Sequence, residues 1–352
     1  MANPAERLAS EPGPGLPGRH ARKVPSTPLL TLIVIAPLAA SACQSLSVPL
    51  PRPVSRPGPP RCAEVSGACG FPDTTTAGVS VGTSLRAVPG QVSHGPGWSY
   101  DPQGWVEVTG DGAVLSGLSI RCDLNIDASG VTVKDVRVIT AGTFGISLRH
   151  TSGVTIERST VSGLNPTYGR VDTAIDDVYG DSTGTVIEDD NISYFRTAVD
   201  VSSGVVAGNY IHSPGYMPGD HTNGIYDNGS DAPLTIEDNT ILNPLAQTDA
   251  ITLDATSGNQ TVANKTIEGN LLAGGGYAIY GGDSEDNKTS NIVIKDNWFS
   301  QRYYSQGGRY GPAAYFDPAG TGNVWSGNVW ARPAPGGGRP GGYRQLAAVP
   351  AP

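Results

Sequence analysis

The chain has 352 residues, of which 47 are glycine, 29 are proline and 16% are charged, and its formal net charge is −9 at pH 7. The length alone allows two domains. The acidic balance and the absence of a basic stripe argue against nucleic acid or an anionic membrane surface as a partner. An anionic sugar stays compatible with this composition, because a few arginines in a cleft can act locally.

The first 42 residues have the pattern of an export signal. An apolar run at 29–42 follows Arg19, Arg22 and Lys23 and closes on the small residues Ala-Ser-Ala. The run is short for a membrane span. Because Cys43 follows at once, the segment is similar to a bacterial lipobox, although Ala40 stands where that pattern prefers Leu or Val. We expect either a lipid on Cys43, which would anchor the protein at the outer face of the bacterial cell membrane, or cleavage and secretion.

The two flanks of the chain predict little structure of their own. Residues 43–69 are rich in proline and serine and lack apolar periodicity, which indicates an extended tether. Residues 332–352 repeat this character and predict a disordered Pro/Gly-rich tail. The structured body is therefore expected to be one domain at 70–331.

The four cysteines divide into two groups. Cys62 and Cys69 are close in sequence, and we expect them to form a disulfide after export. Cys122 belongs to an alternating apolar set with Ile120 and Leu124. It is expected as a buried free thiol that packs like a small apolar side chain.

A short strand-and-turn phrase recurs through the body and is the main signal for the fold. Its copies are Val-Thr-Val-Lys-Asp-Val at 131–136, Val-Thr-Ile-Glu-Arg-Ser at 154–159, Leu-Thr-Ile-Glu-Asp-Asn at 234–239, Lys-Thr-Ile-Glu-Gly-Asn at 265–270, Ile-Val-Ile-Lys-Asp-Asn at 292–297 and Asn-Val-Trp-Ser-Gly-Asn at 323–328. A repeat with a period of roughly 18 to 31 residues predicts a solenoid.

The phrase ends on a polar turn position in all but the earlier coils, where Leu118 and Val136 stand. The members of this column are Ser159, Asp190 or Asn191, Asn209, Asn239, Asn270, Asn297 and Asn328. Asparagine tolerates left-handed backbone and can bond its own chain, and stacked asparagines can bond each other. We therefore interpret the column as structural rather than catalytic.

A second strand type alternates with the first. It reads Gly-Ile-Ser-Leu at 145–148, Ala-Ile-Asp-Asp at 174–177, Ala-Val-Asp-Val at 198–201, Gly-Ile-Tyr-Asp at 224–227, Ala-Ile-Thr-Leu at 250–253 and Ala-Ile-Tyr-Gly at 278–281. Helical periodicity is absent, and short strands without hairpin signals fit parallel stacking. The sequence predicts an all-β solenoid of about nine coils.

This pattern resembles the right-handed parallel β-helix proteins of the pectate-lyase-like superfamily. Gly-Phe-Pro at 70–72, Gly-Val at 78–79 and Gly-Thr-Ser-Leu at 82–85 are similar to the entry segment of secreted actinobacterial β-helix proteins. The resemblance implies a right-handed parallel β-helix, a polysaccharide as substrate or ligand, and a monomer. It is specific for the fold and weak for the reaction, since the superfamily holds lyases, hydrolases, epimerases and proteins without activity.

In strands of the second type, the side chain that follows the buried aliphatic residue should point outward, and these side chains should form a column across neighbouring coils. Its members are Ser147, Asp176, Asp200, Tyr226, Thr252 and Tyr280. Neighbouring coils stack about 4.8 Å apart, so Asp176 and Asp200 should lie side by side. Two such carboxylates either hold a cation between them or raise the pKa of one member. The family resemblance implies Ca²⁺ at such a place, for which Asp176, Asp177 and Asp200 are the candidate ligands.

Three long loops, at 163–172, 213–223 and 301–311, lead into strands of the second type and are expected at one edge of the stack. Tyrosine rings can stack on sugars, and guanidinium groups can grip a carboxylate or sulfate. The candidate substrate-binding residues on these loops are Tyr168, Arg170, Tyr216, Asn223, Arg302, Tyr303 and Arg309.

The favoured function is a polysaccharide lyase that cleaves a glycan containing uronic acid by β-elimination. His221 would be the base, Tyr226 the acid, and Arg170 or Asn223 would neutralise the uronate carboxylate. One alternative is a polygalacturonase-like glycoside hydrolase that uses paired aspartates such as Asp176 and Asp200. The other is a cell-surface module that binds a glycan without cleaving it.

Overall fold

A computed structural model describes residues 71–254, 261–283, 289–333 and 343–352. The export signal, the tether and the cysteines Cys43, Cys62 and Cys69 lie outside the described residues. So does the predicted pairing of Cys62 with Cys69.

The described residues form three β-sheets of eleven, eleven and nine strands and no α-helix, and the chain visits the three sheets in turn. Consecutive strands of a sheet belong to successive coils and are parallel, apart from strands at the two ends. The predicted all-β solenoid is confirmed. No helix in the part of the chain that the structure describes is long and apolar enough to cross a membrane.

The second sheet is made mainly of the second strand type and carries the site described below. Its strands are His94–Gly95, Trp98–Asp101, Trp105–Val108, Asp123–Ile126, Phe144–Leu148, Val171–Asp177, Phe195–Asp200, Asn223–Asp227, Asp249–Leu253, Tyr277–Gly281 and Gly311–Ala314.

The repeated phrase supplies the other two sheets. The first sheet contains Arg86–Val88, Leu118–Ile120, Arg137–Ile139, Thr160–Ser162, Asn191–Ser193, Tyr210–His212, Thr240–Asn243, Leu271–Gly274, Trp298–Ser300, Val329–Pro333 and Tyr343–Ala348. The third sheet contains Val114–Ser116, Thr132–Lys134, Thr155–Glu157, Val186–Glu188, Gly204–Ala207, Leu234–Glu237, Ala263–Glu268, Ser290–Lys295 and Val324–Ser326.

The polar turn column forms a buried ladder between the third and first sheets. The Asn209 backbone N–H donates to Oδ1 of Asn239 at 2.9 Å, and the Asn239 N–H donates to Oδ1 of Asn270 at 2.9 Å. The predicted structural role is confirmed. The left-handed backbone expected at the ladder residues lies one residue earlier, however, since Asp189 and Asp238 have the positive φ angles.

An N-terminal strap, residues 71–79, runs across the coils before the chain enters the first one. The Phe71 ring lies 5.4 Å from the Trp298 ring, and at the other end the Val79 N–H donates to Oγ1 of Thr160 at 3.1 Å. Gly78 has a φ of 85° and packs so closely that a Cβ there would lie 2.5 Å from Cβ of Asn191. Only glycine fits this contact.

The C-terminal segment is ordered further than the sequence indicates. Tyr343–Ala348 pairs antiparallel with Val329–Pro333, and the buried Val349 accepts the indole N–H of Trp325 at 3.0 Å. The expectation of disorder throughout 332–352 is therefore wrong for its last part. A strand added at this edge covers backbone groups that would otherwise lack partners.

Cys122 is almost fully buried, as expected, but it is disulfide-bonded rather than a free thiol. The alternation pattern could not separate these two states, because a half-cystine packs like any small apolar side chain. The other cysteines of the chain lie outside the described residues.

Candidate functional site

The outward column of the second sheet has the predicted register. Asp176 pairs with Asp200, Asp200 with Tyr226, Tyr226 with Thr252, and Thr252 with Tyr280. Parallel in-register strands place these side chains in a row, one coil apart. The expectation that Asp176 and Asp200 are stacked neighbours is confirmed.

A second column lies beside the first because, in several of these strands, two consecutive residues are both buried in the core. Ala198, Ala250 and their equivalents are fully buried in the core together with the aliphatic residue that follows. The side chains on either side of such a pair therefore share the outer surface. Asp249 and Thr252 illustrate this, since the Thr252 hydroxyl donates to the Asp249 carboxylate three residues away.

The two columns line a cavity of about 580 Å³. Its lining residues are Arg196, Thr197, Asp200, His221, Asn223, Tyr226, Thr248, Asp249, Thr252, Leu253, Asp254, Tyr280, Gly282, Asp283 and Tyr315. A concave site of this size with several convergent polar groups is typical of a ligand pocket.

Asp176 and Asp200 have displaced pKa values. Burial raises the pKa of Asp200 to about 8, and the negative charge of Asp176 acts in the same direction. Burial raises the pKa of Asp176 to about 6, with a smaller contribution from Asp177. Asp200 lines the cavity, and Asp176, 8% exposed, lies one coil beyond its edge. At neutral pH Asp200 holds a proton and Asp176 is mainly ionised.

Tyr226 and Asp249 both line the cavity, Tyr226 partly buried and Asp249 buried. The Tyr226 hydroxyl donates to the Asp254 carboxylate, and burial together with this bond raises the pKa of the phenol. Asp249 is 1% exposed, its Oδ1 has no hydrogen-bond partner, and burial raises its pKa well above the ordinary value. Burial therefore favours the uncharged form of both groups.

His221 and Asn223 lie where the second loop meets the cavity. The His221 imidazole is exposed, and the Asn223 amide is buried and donates to Oγ1 of Thr197 at 3.4 Å. The structure thus brings His221, Asn223, Tyr226 and Asp200 together, as the sequence predicted, in one cavity.

Arg170 does not line this cavity. It is 7% exposed and donates to both carboxylate oxygens of Asp220 at 2.7 and 2.6 Å, and to Asp172 at 2.8 Å. Asp172 also accepts two bonds from Arg196. The guanidinium of Arg170 therefore holds the first and second loops together rather than facing a ligand.

The remaining loop candidates are also away from the cavity lining. Tyr168 is 86% exposed on the first loop, and Tyr216 is exposed on the second. Tyr303 packs against a small apolar cluster, with the Arg302 guanidinium 5.4 Å from its ring centre, and Arg309 is exposed.

The aspartates expected to hold Ca²⁺ do not gather around one point. Asp177 pairs in register with the buried Leu148, and its carboxylate accepts the Ser182 N–H at 3.0 Å, so it lies on the inner side of the strand. No group of three His, Cys, Asp or Glu side chains within the described residues is arranged to hold a metal ion.

Sequence reasoning missed Asp249, Asp254 and Tyr315 as lining residues. Asp249 was hidden because strict alternation predicts an inner position two residues before Ile251. The repeated Gly or Ala before each aliphatic residue is the signal that could have revealed these pairs of consecutive buried residues. Tyr315 follows the last strand of the second sheet and belongs to neither recurring phrase.

Comparisons with known proteins found no matching family model, no similar curated protein and no similar solved structure. The site's chemistry therefore has to be argued from its own geometry.

Proposed function

We propose that this protein hydrolyses a glycosidic bond, with Asp200 as general acid and Asp176 as the second carboxylate. The observation that carries the proposal is the pairing of Asp176 with Asp200 on neighbouring strands, where Asp200 lines a cavity of about 580 Å³. The resemblance to the pectate-lyase-like superfamily supports a polysaccharide as the substrate. The export signal expected at 1–42 supports a reaction outside the cell.

The two pKa values suit an acid and a partner carboxylate. With a pKa of about 8, Asp200 carries a proton at neutral pH that it can give to the leaving oxygen. With a pKa of about 6, Asp176 is mainly ionised under the same conditions. Environments that push two carboxyl pKa values apart mark the acid and its partner in glycosidases.

The strand spacing favours retention of configuration. Neighbouring strands lie about 4.8 Å apart, and carboxyl groups about 5–5.5 Å apart accompany the retaining mechanism. Asp176 would attack the anomeric carbon and form a glycosyl ester while the Asp200 proton goes to the leaving oxygen. Asp200 would then deprotonate the water that cleaves the ester.

The charges around the cavity favour an uncharged sugar over a uronate. Four aspartates line it, and Arg196 is the one Lys or Arg side chain among the described lining residues. Arg196 is paired with Asp172. A polyuronate would meet acidic side chains there, some of them uncharged, without a matching set of cations to bind its carboxylates.

A polysaccharide lyase is the second candidate because His221, Asn223 and Tyr226 line the same cavity. His221 would take the proton next to the uronate carboxylate, and the protonated Tyr226 would serve the leaving oxygen. This route yields a double bond conjugated to the carboxylate, which absorbs in the ultraviolet.

One assay separates the two candidates. The protein is incubated with neutral glycans and with polyuronates, and both reducing ends and ultraviolet absorbance are followed. We expect reducing ends without absorbance, and a loss of at least about 100-fold in kcat for Asp176→Asn and Asp200→Asn. The matched control is Asp111→Asn, on an exposed turn outside the cavity.

The other outcomes are equally distinct. Ultraviolet absorbance that depends on His221 would replace the hydrolase with the lyase. Full activity in both Asp variants would refute the hydrolase mechanism. Affinity for a glycan without any product would indicate a binding module.

A further inference from the structure

At one end of the cavity, tyrosine rings form a stacked, solvent-facing group. The Tyr280 and Tyr315 ring centres are 5.6 Å apart with 21° between the planes, and Tyr277 meets Tyr280 edge-on at 5.6 Å. Tyr310 adds a fourth ring 5.9 Å from Tyr277. We call this group the tyrosine platform.

The outer rings of the platform are exposed although they are large and partly apolar. Tyr315 and Tyr310 are each 63% exposed, whereas Tyr280 lies half-buried beneath Tyr315. Exposed aromatic rings grouped at the mouth of a cavity are typical of a binding surface.

The backbone at Tyr315 orients its ring toward the cavity. Its φ is 57°, in the left-handed region, a conformation that His150 and Tyr194 also adopt. The ring of Tyr315 stacks on Tyr280 and lines the cavity.

Carboxylates lie next to the platform. Asp254 and Asp283 line the cavity together with Tyr280 and Tyr315, and no Lys or Arg is among the described lining residues at this end. An aromatic face offers contact to the C–H side of a pyranose ring, and a carboxylate accepts hydrogen bonds from its hydroxyls. The combination fits a sugar that has hydroxyl groups and no acidic group.

We propose that the tyrosine platform is a subsite that stacks on an uncharged pyranose of a glycan chain running along the coils toward Asp200. This inference rests on the proposed hydrolase function and names its substrate class. Asp200 and Tyr280 are three coils apart in the second sheet, a span of roughly 14 Å. The chain therefore has to extend over several sugar residues.

The test measures binding separately from cleavage. In the Asp200→Asn background, affinities for soluble xylan, mannan and β-glucan are compared with that for polygalacturonate by affinity electrophoresis. We expect at least one neutral polymer to bind and polygalacturonate to bind more weakly. Adding Tyr315→Ala should weaken binding of the neutral polymer about tenfold, and Tyr315→Phe by less than about twofold, because the ring remains.

The matched control is Tyr179→Ala. Tyr179 is also exposed, at 55%, and stacked, on His150 at 4.2 Å, but it does not line the cavity. We expect its affinity to equal that of the background. The control removes an exposed, stacked tyrosine outside the cavity, so an effect of losing any such ring would appear in both variants.

Failure of this inference and failure of the proposed function give different results. Cleavage that is insensitive to Tyr315→Ala would overturn the subsite and leave the hydrolase standing. Platform-dependent binding without cleavage in the wild-type protein would overturn the hydrolase and keep the subsite. Preference for polygalacturonate would overturn the uncharged substrate class, and no binding to any polymer would overturn the subsite.

Discussion

Replacing Asp176 with asparagine should lower the pKa of Asp200, because one negative charge disappears without a change in shape. Burial is the larger cause of the raised Asp200 pKa, and the Asp176 charge is the next. Asp176 is itself mainly ionised above a pH of about 6, so its charge acts throughout the range in which Asp200 titrates.

The size of the effect follows from the strand register. Two unit charges about 5 Å apart interact by roughly 3 kcal/mol at an effective dielectric constant of about 20, which corresponds to about two pKa units. Side chains that splay apart reduce this figure. We expect the pKa of Asp200 to fall by about one to two units in Asp176→Asn.

The measurement is a pH titration of ¹³C-labelled aspartate carboxyl groups by NMR, with the Asp200 signal assigned from its loss in Asp200→Asn. It does not depend on activity, so it works in a variant without catalysis. Asp111→Asn removes an exposed charge that does not act on Asp200 and should leave its pKa unchanged. An Asp200 pKa that is the same in Asp176→Asn and in the wild-type protein would refute the coupling of the pair.

Four further outcomes are expected. The raised pKa of Asp200 stabilises the fold fully below the ordinary value of 3.8, and this stabilisation is lost as the pH rises toward about 8. The melting temperature should therefore fall less over this pH range in Asp200→Asn than in the wild-type protein. Arg170→Ala leaves the buried Asp220 carboxylate unpaired and should lower the free energy of unfolding by about 3–5 kcal/mol in a urea titration; a loss below about 1 kcal/mol would contradict the loop-bridging role. Asn270→Ala interrupts the buried ladder and should cost about 1–3 kcal/mol in the same assay, and an unchanged midpoint would argue against its structural role. Cys122 should react with an alkylating reagent in the unfolded protein only after reduction, as seen by peptide mass; labelling without reduction would exclude its disulfide.

The sequence predicted the fold and the stacking of Asp176 on Asp200 because both follow from periodicity. A recurring phrase defines each coil, and alternation within a strand defines which side chains share a surface. The recurrence of the phrase and the alternation within a strand are local, so they hold whatever conformation the loops adopt. They were sufficient to place Asp200 and Tyr226 on neighbouring strands of one cavity.

The partners of individual side chains could not be predicted in this way. Arg170 was expected to bind a ligand because it is an arginine on a long loop, but it pairs with Asp220, fifty positions later in the chain. The orientation of the Tyr315 ring depends on a left-handed backbone angle that no local sequence motif predicts. The first case rests on a contact between segments far apart in sequence and the second on a backbone angle, and neither period nor spacing encodes these features.

The N-terminal strap changes how the stack of coils should unfold. A solenoid behaves as a one-dimensional array in which each unit is coupled only to its nearest neighbours, so end units can fray independently. The strap contacts Thr160 near one of its ends and Trp298 near the other, five steps apart in the first sheet. It adds a long-range coupling to the array, so the coils that carry the cavity should melt as one cooperative unit rather than one by one.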